Sequence, residues 1–214
     1  MFPLITQDMC YHNFADQATL LGIPHFFNVI TNVPFMIFGI WGLLIAKRLD
    51  WRWFFIGLVI TGIGSSYYHL NPNNATLVYD RLPMAISFMA LVSAMCADYG
   101  FHKIKLYPAI LLGVGSVLYW ALWQDLIFYV LVQFVSLIWI FVLLRFYKSP
   151  YVSNNNLYWA LACYVLAKVL EHFDREVFAF LPISGHSLKH LSAAFSGFFI
   201  IRHVRGEKIC NNSK

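Results

Sequence analysis

Seven stretches of this chain, at about 28–47, 52–70, 79–97, 106–122, 125–146, 157–172 and 186–203, are predominantly apolar and close to the length of a bilayer crossing. A spanning helix needs roughly 20 such residues, and the hydrocarbon layer offers backbone groups no hydrogen bonds, so only helices and closed barrels cross it. Runs of this length read as helices. The expected fold class is therefore all-α integral membrane, a seven-transmembrane-helix bundle. The connections are short, which leaves residues 1–214 as a single membrane domain with a short N-terminal arm at 1–27 and a C-terminal tail at 204–214. Charged residues make up 12% of the chain, against about 25% in soluble domains. Asn-rich 71–74 and 153–156, together with Pro150 and Pro182, mark loops.

Lysine and arginine fall unevenly about these spans. One side holds Lys47, Arg48, Arg52, Lys103, Lys105, Arg145, Lys148, Arg202, Arg205, Lys208 and Lys214, and the other only Arg81, Lys168, Arg175 and Lys189. Cytoplasmic loops carry the positive excess, so the C-terminus is expected in the cytoplasm and the N-terminus outside it. The net charge of +5 is accounted for by this asymmetry and gives no reason to invoke nucleic acid. The start of the chain lacks the basic segment and cleavage pattern of a signal peptide, so the first span is expected to act as an uncleaved insertion signal. Cys10, Cys96, Cys163 and Cys210 form no close pair, and so suggest neither a disulfide framework nor a thiolate metal site. Nothing in the sequence specifies an oligomeric state.

Polar groups at membrane depth are costly and are usually placed for a purpose. His186 and His190, in SGHSLKH, lie four residues apart, which puts both imidazoles on one helix face one turn apart. That is the spacing at which one helix gives two ligands to one metal ion. Span 2 runs outward and ends at His69, span 3 starts on the same side near Asp80, and span 7 starts there at His186. The parity of the spans thus brings all the candidates into one layer, just inside the extracytoplasmic boundary. His69, His186 and His190 are predicted to bind a metal together. The remaining histidines His12, His25, His102, His172 and His203 read as hydrogen-bonding residues near the membrane boundary.

Two neighbours of His69 have plain structural readings beside the functional ones. Asp80 could act on a proton, or could simply cap span 3, with Arg81 and Pro83 in a first turn that tolerates proline. Ser65 shares a helix face with His69, yet serine in a membrane helix is commonly a packing or back-bonding residue. Gly62 and Ser65 on span 2, and Ala193, Ala194 and Gly197 on span 7, form stripes of small residues that serve tight helix contacts or leave room for a lipid tail.

Taken in order, these motifs resemble the alkaline ceramidase family. The resemblance rests on the S-x-x-x-H of Ser65 to His69, the aspartate eleven residues later, and the final H-x-x-x-H of His186 to His190. PHFFNVITNVPF at 24–35 is similar to the family's first-helix signature, and LEHFDREVFAFLPISGHSLKH at 170–190 to a segment of its bacterial members. The family belongs to a wider superfamily of seven-helix intramembrane hydrolases that includes the adiponectin-type receptors. The resemblance implies that His69, His186 and His190 hold zinc, that Asp80 handles the catalytic proton, and that Ser65 lines the site. It also implies a ceramide-like substrate, an N-acyl sphingoid base cleaved to the base and a fatty acid. The chain departs from eukaryotic members, whose acidic N-terminal cluster binds calcium. Here His25 precedes Phe26-Phe27-Asn28, and only Asp8 and Asp16 are acidic in the arm, which puts calcium regulation and a strict ceramide preference in doubt.

The chemistry expected of such a site follows from three protein ligands and one open position. Zinc bound in this way makes hydroxide available near neutral pH. Ser65 could donate to a developing oxyanion, and Asp80 could carry the water proton to the leaving amine. Neutral imidazoles suit zinc, and a buried site favours a lipid arriving through the bilayer over a soluble peptide. Other classes fit less well. A retinal pigment would use Lys189 and Asp80, but Lys189 lies one turn from the boundary and is flanked by two histidines. A metal-ion transporter or a non-catalytic receptor could use the same three histidines. A transporter, however, needs polar groups along its whole path, and here Asn32, Ser87 and Gln133 are the few outside the layer.

Overall fold

Local signals decide where each helix starts and stops. The computed structural model describes residues 4–149 and 154–212, with side-chain surroundings up to residue 206. After a 3-10 turn at Met9–His12, the helices are α1 Phe26–Ile30, α2 Val33–Ile45, α3 Leu49–Leu70, α4 Asn74–Asp98, α5 Leu106–Trp123, α6 Ile127–Phe146, α7 Asn155–His172, α8 Asp174–Phe180 and α9 Gly185–Asn212. Of the expected loop markers, Pro150 and Ser153 fall outside the described residues, as does Lys214.

The seven expected spans each coincide with helix, but the described residues hold nine α-helices rather than seven. The first span is broken after Ile30, because Pro34 has no N–H to donate to the Ile30 carbonyl. The short α8 sits before α9, and α9 continues as helix to Asn212 through residues expected to be a tail. Four stretches are long and apolar enough to cross a membrane: Phe26–Ile45, Asn74–Asp98, Leu106–Trp123 and Ile127–Phe146. The long helices α3, α7 and α9 are less apolar because they carry His69, Lys168 with Glu171, and the stretch from His186 to His190.

Asp80 does not cap α4. The cap is Asn73, whose side chain accepts from the backbone N–H of Ala75 and Thr76, while Thr76 Oγ1 accepts from Asn73 N–H in return. Asp80 lies more than a turn further on and is buried, with Pro83 inside the helix. The missing N–H of Pro83 leaves the Tyr79 carbonyl without its helical donor. That carbonyl packs against Gly64 of α3, where any β-carbon would strike it. Gly57 admits the Ser87 backbone two turns lower in the same way. Two glycines thus draw α3 and α4 together and set Asp80 beside Ser65. Elsewhere α2 packs on α3 and α9, α4 on α5, and α7 on α9.

The arm does not hang free in solvent. Phe14 and Asp16 are buried, and His12 bonds the Tyr68 hydroxyl at 2.8 Å and Asn74 Oδ1 at 2.9 Å, tying the arm to α3 and α4. Burial and the nearby Glu171 carboxylate hold the Tyr11 phenol protonated well above its ordinary range, so it acts as a donor. At the other end of the bundle His203 is a hydrogen-bonding residue, as expected. It is fully buried and sits 3.2 Å from Asp98 Oδ2, while Asp98 Oδ1 takes the Arg48 guanidinium.

Candidate metal centre and its cavity

Two helices supply the three histidines. His69 comes from the last turn of α3, and His186 and His190 come from the first turns of α9. Their ligand atoms all lie within 4.8 Å of one another, and all three residues are buried. Ring centroids are 5.0 Å apart for His69 with each of the others and 4.9 Å apart for His186 with His190.

The beginning of α9 is fixed from two sides. Ser184 Oγ accepts the Ser187 N–H at 3.1 Å, and Asp174 Oδ1 accepts the His186 N–H at 2.7 Å. The other oxygen of Asp174 accepts from Ala15 N–H at 2.9 Å, so one carboxylate joins the arm to the histidine helix.

Hydrogen bonding around the rings leaves their nitrogens ready for a cation. Both ring nitrogens of His69 and Nε2 of His186 are buried with no hydrogen-bond partner. Such groups carry a desolvation cost unless something satisfies them. His190 is oriented from the helix break. Thr31 donates its only hydroxyl proton to the Phe27 carbonyl at 2.6 Å, and so receives the Nδ1–H of His190 at 3.1 Å. That assigns the tautomer and leaves Nε2 as a lone pair facing the cavity, the usual arrangement behind a metal-ligating imidazole. Three neutral imidazoles fit zinc better than a hard cation such as calcium. Asp8 is engaged in capping the 3-10 turn through Cys10 N–H.

A cavity of about 290 Å³ adjoins His190. Ser65, Asp80, Arg81 and Lys189 line its upper wall, with the Ser65 side chain near the Asp80 carboxyl. Below, the wall becomes apolar and runs to Met95, Leu144 and Ile200. Along α6 it extends from Tyr129 to Leu144, which at 1.5 Å per residue is about 22 Å of depth. Ala193 faces this space, whereas Ala194 is fully buried and Gly197 packs under Leu58, so the small stripe of α9 serves both roles. An apolar cleft between α6 and α7, lined by Phe134, Ile138, Phe141 and Val165 among others, shares Leu137, Leu161, Tyr164 and Lys168 with the cavity. Phe14 closes the opposite side, its ring 4.7 Å from His69 and 4.4 Å from His186.

The structure therefore brings His69, His186 and His190 together, with Ser65 and Asp80 on the wall of the adjoining cavity. Thr31, Phe14 and Glu171 also belong to this neighbourhood, although no sequence pattern singles them out. The clue available for the first was polarity: Asn28, Thr31 and Asn32 interrupt an otherwise apolar stretch, and all three are buried at the site end. A model of the ceramidase family matches residues 6–201. No curated protein matches the chain.

Proposed function

The chain belongs to the ceramidase family, and from that premise and the geometry of the site we propose that it is a zinc-dependent hydrolase of a ceramide-like lipid amide. The observation that carries the reading is the convergence of three buried histidines beside a deep apolar cavity that His190 lines. The reading takes seven crossings, with α1 and α2 counted as one and α8 as a surface helix.

His69, His186 and His190 would hold the zinc. Bound there, zinc would polarise the amide carbonyl and make water acidic enough to ionise near neutral pH. Asp80 takes the proton from the attacking water and returns it to the nitrogen of the leaving amine, the two-way task a positioned carboxylate can perform. Ser65, beside it, donates a hydrogen bond toward the carbonyl oxygen as negative charge develops there. Thr31 keeps His190 in its working tautomer. The apolar lower cavity takes the acyl chain, and Phe14 shields the reacting groups from bulk water. The cleft between α6 and α7 gives a lipid a sideways path from the bilayer.

Purified protein reconstituted in bilayers with a short-chain ceramide should release fatty acid and sphingoid base, and a zinc chelator should stop the release. Cleavage that survives complete removal of the metal would overturn the reading. The sidedness follows from the lysine and arginine distribution. In sealed right-side-out vesicles a C-terminal tag should resist added protease and an N-terminal tag should be cleaved. The reverse pattern would place the site on the cytoplasmic side.

A further inference from the structure

Five ionisable side chains besides histidine and tyrosine line the cavity: Asp80, Glu171, Arg81, Lys168 and Lys189. Three cations against two carboxylates leave one positive charge in excess. Asp80 interacts with Lys189 and Arg81 by charge alone, and no salt bridge among the described residues involves it. Glu171 is fully engaged, with Lys189 at 2.6 Å and Tyr11 at 3.3 Å on one oxygen and Lys168 at 2.8 Å on the other. Arg81 has no ion pair among the described residues.

Arg81 is only 8% exposed, and its Nη1 has no hydrogen-bond partner. Its one bonded acceptor is the neutral Gln7 Oε1, 2.6 Å from Nη2. Aromatic faces hold the guanidinium in place, Trp120 at 4.2 Å, Tyr129 at 5.0 Å and Tyr11 at 5.6 Å from ring centroid to Cζ. The indole N–H of Trp120 is also buried without an acceptor. The nest is rich in donors and poor in acceptors, and a buried cation is costly unless its remaining donors find partners.

We propose that Arg81 is a specificity-determining residue that binds an anionic oxygen group on the amine side of the lipid, so that the preferred substrates are N-acyl lipids with an acidic head. The inference rests on the reading of the site as a lipid amidase and names its substrate class. Placement assigns the head rather than the tail to this nest. The apolar part of the cavity descends away from Arg81 toward Leu144 and Ile200, whereas Arg81 lies under Tyr11 and Gln7 of the arm. A planar guanidinium with an open N–H edge suits a carboxylate or sulfonate.

The test compares two N-acyl lipids with the same acyl chain, one with a neutral diol head and one with a carboxylate head, in bilayers of neutral lipid. The wild type should favour the acidic lipid at least about tenfold in kcat/KM, and Arg81→Gln should bring that ratio close to one through loss on the acidic lipid alone. Arg81→Lys should fall between them. Binding of a fluorescent-chain version of each lipid to His186→Ala protein gives the same comparison without turnover. Selective binding of the acidic lipid there, with neither lipid cleaved by the wild type, would retain the anion nest and reject the amidase reading. A wild-type ratio near one, or equal loss on both lipids in Arg81→Gln, would overturn the proposal. So would an effect of Arg81→Gln confined to inhibition by released fatty acid, which would make the nest a product site. Should Arg81→Gln fail to fold, the wild-type ratio and the Arg81→Lys variant decide.

Discussion

Alanine in place of His186 or His190 will reduce bound zinc from about one ion per chain to a small fraction, and will reduce lipid amide hydrolysis to background. Each substitution removes one of three ligands from a cluster whose ligand atoms lie within 4.8 Å of one another, and two ligands from different helices rarely hold zinc at working concentrations. Without the ion, water near the carbonyl regains a pKa of about 15.7 in place of about 7, so the nucleophile at neutral pH becomes scarcer by roughly eight powers of ten. Elemental analysis of purified protein and a release assay check the two parts separately. A His186→Ala, His190→Ala double variant that kept its full zinc would overturn the ligand assignment.

Asp80→Asn will lower hydrolysis by at least about 10²-fold while leaving fold and zinc in place, because a positioned acid–base group contributes about 10²–10⁴-fold. Asparagine matches aspartate in size and keeps a polar group for Ser65, but it cannot take up the water proton. Helix capping does not confuse the outcome, since Asn73 and Thr76 form the cap of α4. The thermal midpoint should stay within about 4 °C of wild type, the shift that about 1 kcal/mol produces in a chain of this size. Full activity in this variant would remove Asp80 from the mechanism. Joint loss of zinc and stability would make it a supporting partner of the metal site instead.

The two aspartate readings show what hydropathy can and cannot reveal. The apolar window starts near residue 79, so Asp80 read as a possible first-turn cap. The helix begins at Asn74, because its start depends on the Asn73 side chain rather than on apolar content. The layer holding His69, His186 and His190 was legible because helix parity and four-residue spacing are geometric consequences of the sequence. Thr31 behind His190 was not, since it comes from a break created by Pro34 and reaches across to a residue 159 positions away. The roof of Tyr11 and Phe14 was hidden for the same reason: an arm without periodic pattern discloses its contacts only when folded. The partner of His203 was hidden as well, because Asp98 lies on another helix.

The cleft between α6 and α7 changes what concentration means for this protein. Its rim residues Phe134, Ile138 and Phe141 are exposed on the outside of the bundle and apolar, so a substrate coming through it is supplied from within the leaflet. Saturation would then be set by the mole fraction of that lipid among its neighbours, and diluting the membranes in buffer would leave the turnover of each molecule unchanged. Diluting the substrate with inert lipid at constant total amount would slow it. Fatty acid leaving by the same cleft would accumulate in the same two-dimensional pool and compete there with incoming substrate.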